Sequence, residues 1–329
     1  MSDLAPRVYV VHENPEWFPP LKAAFDAEGV PVEEILLVDG QIDLGAEPRP
    51  GVYWSRLSAS AHTRGHDKTK DYARALLGWL ESHGRRVVNG RHVVELEVSK
   101  VAQHDLLRSH SFDVPRTTAV FGRAGLSAAA RAFPVPFIAK HNQGGKGLGV
   151  RRFDSYDEFD AYVNGPGFEE PVDGITLLQE YLVGREPFVT RAEFAGGKFV
   201  YAVRVDTSAG SFELCPADAC AVPGPSADEN GEVCLIDGPS ELFSLRAEIT
   251  AEHPLIRRYE AVLADARVEV AGIEFIETQD GRTVTYDINT NTNYNPAVEA
   301  SAPASGPRQI ARYLGGLLQQ EYETTGVCA

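Results

Sequence analysis

A hairpin signal in residues 271–289, AGIEFIETQDGRTVTYDIN, commits part of this chain to an antiparallel sheet. Two alternating runs rich in β-branched and aromatic residues flank Asp280-Gly281, a dipeptide suited to a tight two-residue turn. Centring the turn there sets Gln279 opposite Arg282 and, counting back, Glu274 opposite Asp287. One face then carries Ile273, Phe275, Val284, Tyr286 and Ile288 as core. The other carries Glu274, Asp287 and Asn289. Asp and Asn are poor strand formers because their side chains compete for backbone hydrogen bonds. Here they recur at every second position, Asp287, Asn289, Asn291 and Asn293, which a strand would point to one face. Directly opposed carboxylates, with Cβ atoms roughly 4.5–5.5 Å apart, repel, and a cation between them removes the repulsion. Two carboxylates and an amide oxygen form a hard donor set for magnesium, or manganese in its place; magnesium held by few protein ligands usually also binds phosphate. An acidic, solvated hairpin is the other reading of the same residues.

Upstream, strand and helix patterns alternate to about residue 95: RVYVV, the helix PEWFPPLKAAFDAEG closed by Gly29, VEEILLV, GVYWS, the helix KTKDYARALLGWLESHG stopped by Gly84, and RVVN. That order predicts an open, mostly parallel sheet. The pattern then changes. SKVAQHDLLRSHSFDVPRT reads as a helix and an extended strand, PVPFIAKHNQGGKGLGVRRF as strand, Gly-rich loop and strand, and SYDEFDAYV as a helix capped by Ser155. ITLLQEYL and FVTRAEFAGGKFVYAVRV are strand-rich, with a turn at Gly196-Gly197. PLIRRYEAVLADARVEV and GPRQIARYLGGLLQQEYE are late helices, and the Pro-, Gly-, Ser- and acid-rich residues 206–240 read as a loop or insert. The expected fold class is α/β with α+β pieces, a parallel first domain followed by antiparallel ones.

The chain of 329 residues is long enough for two or three domains. A net charge of −16 argues against a nucleic-acid surface, and no stretch approaches the roughly 20 apolar residues of a membrane span. The start MSDLAPRVYVV lacks the apolar core of a signal peptide. Cys215, Cys220, Cys234 and Cys328 show neither C-x-x-C nor zinc spacing, and read as reduced thiols of a cytoplasmic protein.

The Gly-rich stretch GGKGLG, residues 144–149, is not a P-loop, because Gly147 rather than Ser or Thr follows Lys146. It lies between two strands, so it is not a dinucleotide fingerprint either. Its backbone N–H groups can face an anion unobstructed; a flexible hairpin tip is the alternative. Lys140 ends the apolar strand PFIAK, where an unpaired ammonium is costly and a phosphate partner would offset that cost. Lys100 opens the helix SKVAQHDLL, an ordinary place for a solvated lysine.

Taken in order, RHVVELEVSKVAQHDLLRSHSFDVPRT, a strand ending in Lys140, a Gly-rich hairpin, LLQEYL and GIE…YDIN resemble an ATP-grasp ligase over nearly the whole chain. The closest flavour is the glutamate-ligase branch, which includes ribosomal-protein glutamate ligases and lysine-biosynthesis carrier-protein ligases. The first-domain stretches YWSRLSASAHTRGH and GRRVVN resemble that branch too. The resemblance implies an N-terminal α/β domain (1–97), a central subdomain with the lid loop (98–183) and a C-terminal subdomain with the metal site (184–329). It further implies that Lys100 and Lys140 hold the ATP phosphates and that Gly144, Gly145, Lys146 and Gly147 belong to the closing loop. Gln179, Glu180, Tyr181 and Leu182 would bind adenine, with Glu186 taking the place of an acid usual after this linker. Glu274, Asp287 and Asn289 would hold magnesium, and Arg204 would lie near the transferred phosphate. The stretch TNTNYNP, with Asn291, borders the acceptor side; it replaces the family's usual Pro-Gly, so the acceptor does not carry over.

The implied reaction joins a small-molecule carboxylate to an amine with ATP, through an acyl phosphate, to give an amide or peptide bond, ADP and phosphate. Arg56 and Arg64 are candidates to hold a substrate carboxylate bidentately; two ordinary surface arginines are the alternative. A small-molecule phosphotransferase with the same fold and a nucleotide-binding regulator without turnover are the competing functions. Nucleic-acid and membrane partners are not expected, and a homo-oligomer stays open.

Overall fold

The computed structural model describes residues 5–145, 149–208 and 242–325. All four cysteines, loop residues Lys146 and Gly147, and most of the expected insert at 206–240 lie outside them. Strands β1 (Arg7–His12), β2 (Val32–Leu36), β3 (Gly51–Ser55) and β4 (Arg86–Val88) form a parallel sheet in the order β2-β1-β3-β4. Helices α1 (Phe18–Ala27) and α2 (Thr69–Ser82) supply crossovers. They are followed by left-handed Gly29 (φ 67°) and Gly84 (φ 70°), as their sequence positions predict. Two short helices, α3 (Arg91–Glu97) and α4 (Lys100–Ser109), lead out of this sheet.

The second sheet has the order β5-β8-β6-β7, from β5 (Thr117–Phe121), β6 (Phe137–His141), β7 (Arg151–Phe153) and β8 (Ile175–Glu180), all antiparallel. Helices α5 (Leu126–Ala130) and α6 (Tyr156–Asn164) cover it around Phe133, Phe137, Phe153 and Phe159. Ser155 caps α6 by accepting from the Glu158 N–H, 3.2 Å. The third sheet, also antiparallel, runs β11-β10-β9-β12-β13 from β9 (Phe188–Ala195), β10 (Lys198–Asp206), β11 (Phe243–Leu245), β12 (Val270–Glu277) and β13 (Thr283–Asn289). Its back face packs on α4 and on α7 (Pro254–Asp265) through Leu107, Phe194, Tyr259, Ile273, Phe275 and Ile288. After α8 (Pro296–Ser301), the last helix α9 (Gly306–Thr325) returns to the first sheet. There Ile310, Ala311 and Leu314 pack with Val8, Val10, Val52 and Trp54.

The hairpin of β12 and β13 pairs Glu274 with Asp287, as expected, but by another route. The Thr278 N–H donates to the Arg282 carbonyl, so the loop is the three residues Gln279, Asp280 and Gly281. That loop shifts the register by one, and a β-bulge at Tyr286 shifts it back. The bulge also corrects the face expected for Tyr286. Thr285 takes the core position, fully buried and hydrogen-bonded to the Tyr259 hydroxyl at 2.7 Å, while Tyr286 lines a cavity.

His12, at the end of β1, is fully buried; burial and the Arg56 charge lower its pKa to about 4. A folded pKa below the unfolded value of about 6.5 gives stability that is complete above pH 6.5 and lost as pH falls toward 4. The loss is about 1.4 kcal/mol per pH unit in that window. Urea unfolding at pH 7 and pH 5 should show a decrease of about 2 kcal/mol from this residue, absent in His12→Leu. An equal decrease in the variant would assign it elsewhere.

Candidate active site

A cleft of about 530 Å³ between the second and third sheets is lined by Lys100, Lys140, Gly144, Gly145, Gln179, Tyr181, Leu182 and Glu186, together with Glu274, Ile276, Tyr286 and Asp287. A smaller cavity of about 90 Å³ adjoins it and shares Lys100, Gly144, Gly145, Glu274 and Asp287. Its other walls include Trp17, Ser60, Glu97, Arg191, Asn289, Asn291 and Asn293. Side-chain alternation on antiparallel strands creates the shared wall, because Asp287, Glu274 and Arg191 are cross-strand neighbours on one face.

The Lys100 ammonium lies 2.6 Å from Asp287 Oδ1. Asn289 Nδ2 donates to Glu274 Oε1 at 3.2 Å. Burial, then the neighbouring Asp287, raises the Glu274 pKa above the usual carboxylate range. Lys140 is 7% exposed, and its ammonium makes no hydrogen bond or ion pair among the described residues. Burial and the charge of Lys100 lower its pKa to about 7. Two cations therefore face two carboxylates, and the Gly-rich loop begins beside them. Gln179 Oε1 is a buried acceptor with no partner among the described residues.

Among the described residues no three His, Cys, Asp or Glu side chains gather around one point. A metal reading therefore rests on two carboxylates and an amide. That donor set suits magnesium, which keeps water and phosphate oxygens in its remaining positions. Repulsion between Glu274 and Asp287, now offset by Lys100, gives such an ion a place to act.

Several expected residues are not brought to the cavities. Arg204 pairs in register with Thr190, on the face opposite Arg191 and Glu274, and its guanidinium lies 4.0 Å from the Phe188 ring centroid. Glu180 alternates away from Gln179; its carboxylate accepts from the Arg116 N–H at 2.8 Å and sits 3.4 Å from Arg282. Arg64 is paired with the fully buried Glu13 through Nε and Nη2. Arg56 is 1% exposed, and its Nη2 donates to the Thr292 carbonyl (2.6 Å) and Asn293 Oδ1 (3.0 Å). Both Nη2 hydrogens of Arg56 are used, so neither of its forks is free, and Arg64 spends its Nε/Nη2 edge on Glu13 while its Nη1 donates to Ser60 Oγ at 3.3 Å.

Side chains outside the expected set also build the site. Arg191 lines the smaller cavity, bonded to Glu193 at 2.6 Å and to the Asn293 carbonyl at 3.2 Å. Burial opposes its charge, but Glu193 and Glu274 hold its pKa above the usual value. Glu97 accepts from the Ala59 N–H and from the N–H and hydroxyl of Thr290, tying the first sheet to the end of β13. Gln103 bonds both backbone groups of Ile288. The glutamate in VVELEV carries no signal of its own in one sequence, whereas Arg191 stands where the resemblance has an arginine after the adenine linker. Only the register shows that they converge.

No protein-family model and no curated protein sequence matches the chain. Solved structures do. A RimK domain protein ATP-grasp from Sphaerobacter thermophilus DSM 20745 superposes with TM-score 0.62 at 17% identity, covering 93% of this chain and 98% of that one. D-cycloserine synthetase DcsG gives 0.64 at 16%, covering 94% and 99%. Macrocyclase MdnC, bound with precursor peptide MdnA from Microcystis aeruginosa MRC, gives 0.63 at 13%, covering 94% and 99%. The protein has the ATP-grasp fold, as its motifs led us to expect. Among the described residues no helix is long and apolar enough to cross a membrane.

Proposed function

We propose that this chain is an ADP-forming, ATP-dependent carboxylate–amine ligase, cytoplasmic, with motifs closest to the glutamate-ligase branch. The observation that carries this reading is the meeting of two cavities at Glu274 and Asp287. The larger holds two lysines, Gly144 and Gly145 at the start of the Gly-rich loop and an apolar wall; the smaller is polar and holds Arg191. ATP would place adenine against Ile138, Tyr181 and Leu182, with the unpartnered Gln179 oxygen accepting from its amino group. Lys100, Lys140 and the amides of Gly144 and Gly145 would hold the phosphates. Glu274, Asp287 and Asn289 would hold magnesium, which when bound neutralises phosphate charge.

Arg191, in place of Arg204, would hold the substrate carboxylate in the smaller cavity, in line with the γ-phosphate. A carboxylate oxygen takes the γ-phosphoryl group as ADP leaves. The amine then attacks the acyl carbon and phosphate departs. The reading divides the chain at about residues 97 and 183, with the qualification that α4 packs its apolar side on the third sheet.

The names of structures with this fold include a D-cycloserine synthetase and ligases complexed with precursor peptides, so both free amino acids and peptides belong in the test. Purified protein, ATP and magnesium are offered amino acids singly, in pairs and with short peptides, and phosphate release is followed. Release that needs both a carboxylate and an amine is expected. Stable transfer of phosphate to a hydroxyl compound would replace the ligase with a phosphotransferase.

A further inference from the structure

Lys100 lines both cavities, and its ammonium occupies Asp287 Oδ1 at 2.6 Å, with both side chains less than one-sixth exposed. That oxygen is one of the few hard donors available to a metal here. The lysine is also the first residue of α4, whose N-terminus is fastened to the root of the Gly-rich loop. The Lys100 N–H donates to the Asn142 carbonyl at 3.3 Å, and the Val101 N–H to Asn142 Oδ1 at 2.9 Å. Ser99 Oγ caps the same turn through the Ala102 N–H, 3.3 Å. The N–H groups of this helix end are thus largely committed, and the positive charge left at its tip is the Lys100 side chain. Lys140, the other cation of the site, has no such contact with a carboxylate.

We infer that Lys100 is a built-in substitute for the metal, closing the Asp287 position in the nucleotide-free protein and leaving it only when phosphate offers a stronger partner. This rests on the nucleotide and metal reading above. The consequence is an order of assembly: the divalent ion enters with the nucleotide and is rejected by the empty site. By linkage, whatever draws Lys100 off Asp287 raises metal affinity by the free energy of that contact. The same device keeps Glu274 and Asp287 from facing each other unneutralised between turnovers.

Manganese titrated into nucleotide-free protein, read by loss of the free-ion paramagnetic resonance signal, tests this without any turnover. Lys100→Met should bind manganese about tenfold or more tightly than the parent, since the displaced contact is a charge-assisted hydrogen bond. Lys100→Gln should do the same. Lys140→Met removes a neighbouring charge but no contact with Asp287, and should change the affinity less. Adding ADP should narrow the gap between parent and Lys100→Met, because the parent's lysine then lies on phosphate. Circular dichroism confirms that each variant is folded. Parent and Lys100→Met binding manganese equally without nucleotide would overturn the inference alone, as would an equal gain in Lys140→Met. No manganese bound by any of the four proteins, with or without ADP, would overturn the metal reading and the inference with it.

Discussion

Asp287→Ala should lower ATP turnover by about 10²–10³-fold or more with little loss of stability, while Ile288→Ala, one residue along, should do the opposite. Asp287 belongs to the shared wall of both cavities, next to Glu274 and Lys100. On the proposed reading, its removal deletes one of the metal's two carboxylate donors. For the fold, losing the largely buried Lys100 pair costs stability and relieving repulsion from Glu274 returns part of it, so the net loss should stay below that of Ile288→Ala. Ile288 is fully buried in the core between the third sheet, α4 and α7. Truncating it leaves a cavity costing about 2–5 kcal/mol. Thermal melts and phosphate release on both variants make the comparison. An Asp287→Ala protein that melts as early as Ile288→Ala would make Asp287 a structural residue and remove the centre of the proposed site.

The sequence made the elements and the Glu274–Asp287 pairing legible because both rest on local signals. Alternation, helix-closing glycines and a turn dipeptide act within a few residues of each other. The pairing was nevertheless reached through a two-residue loop, where the chain uses three residues and a bulge at Tyr286. Two register errors cancelled at Glu274 and did not cancel at Tyr286. Arg204 and Arg191 show the opposite limit. Both are arginines on adjacent strands of one hairpin, and which of them faces Glu274 is decided by parity across β9 and β10. Motif likeness pointed to Arg204, whereas the register puts Arg191 in the cavity. Arg56 and Arg64 were read as bidentate donors because nothing in one sequence announces Glu13 or the Thr292 carbonyl as their partners. Long-range polar partners leave no periodic trace.

Gln103→Leu should cost about 3 kcal/mol or more, more than most single polar substitutions, although the two side chains are similar in size. Gln103 is 1% exposed on α4, and its amide clamps the strand that carries Asp287 and Asn289. Nε2 donates to the Ile288 carbonyl at 2.9 Å and to the Leu96 carbonyl at 2.8 Å, while Oε1 accepts from the Ile288 N–H at 3.1 Å. These partners also settle the orientation of the amide, since the reverse would put an N–H against an N–H. β13 is the edge of the third sheet, so the outward backbone groups of Ile288 have no neighbouring strand to pair with. Leucine would leave the buried N–H and carbonyl of Ile288 without partners, at about 1–3 kcal/mol each before relaxation, while the Leu96 carbonyl keeps the Ser99 N–H at 3.3 Å. Because Asp287 and Asn289 flank Ile288, the released strand should also hold its two donors less firmly. Urea unfolding should therefore show the loss of stability, and amide hydrogen exchange at Ile288 should speed up by more than the global loss alone predicts. A Gln103→Leu protein as stable as the parent, with Ile288 still protected, would mean that water or a shifted strand replaces the clamp, and that β13 is held in place by packing alone.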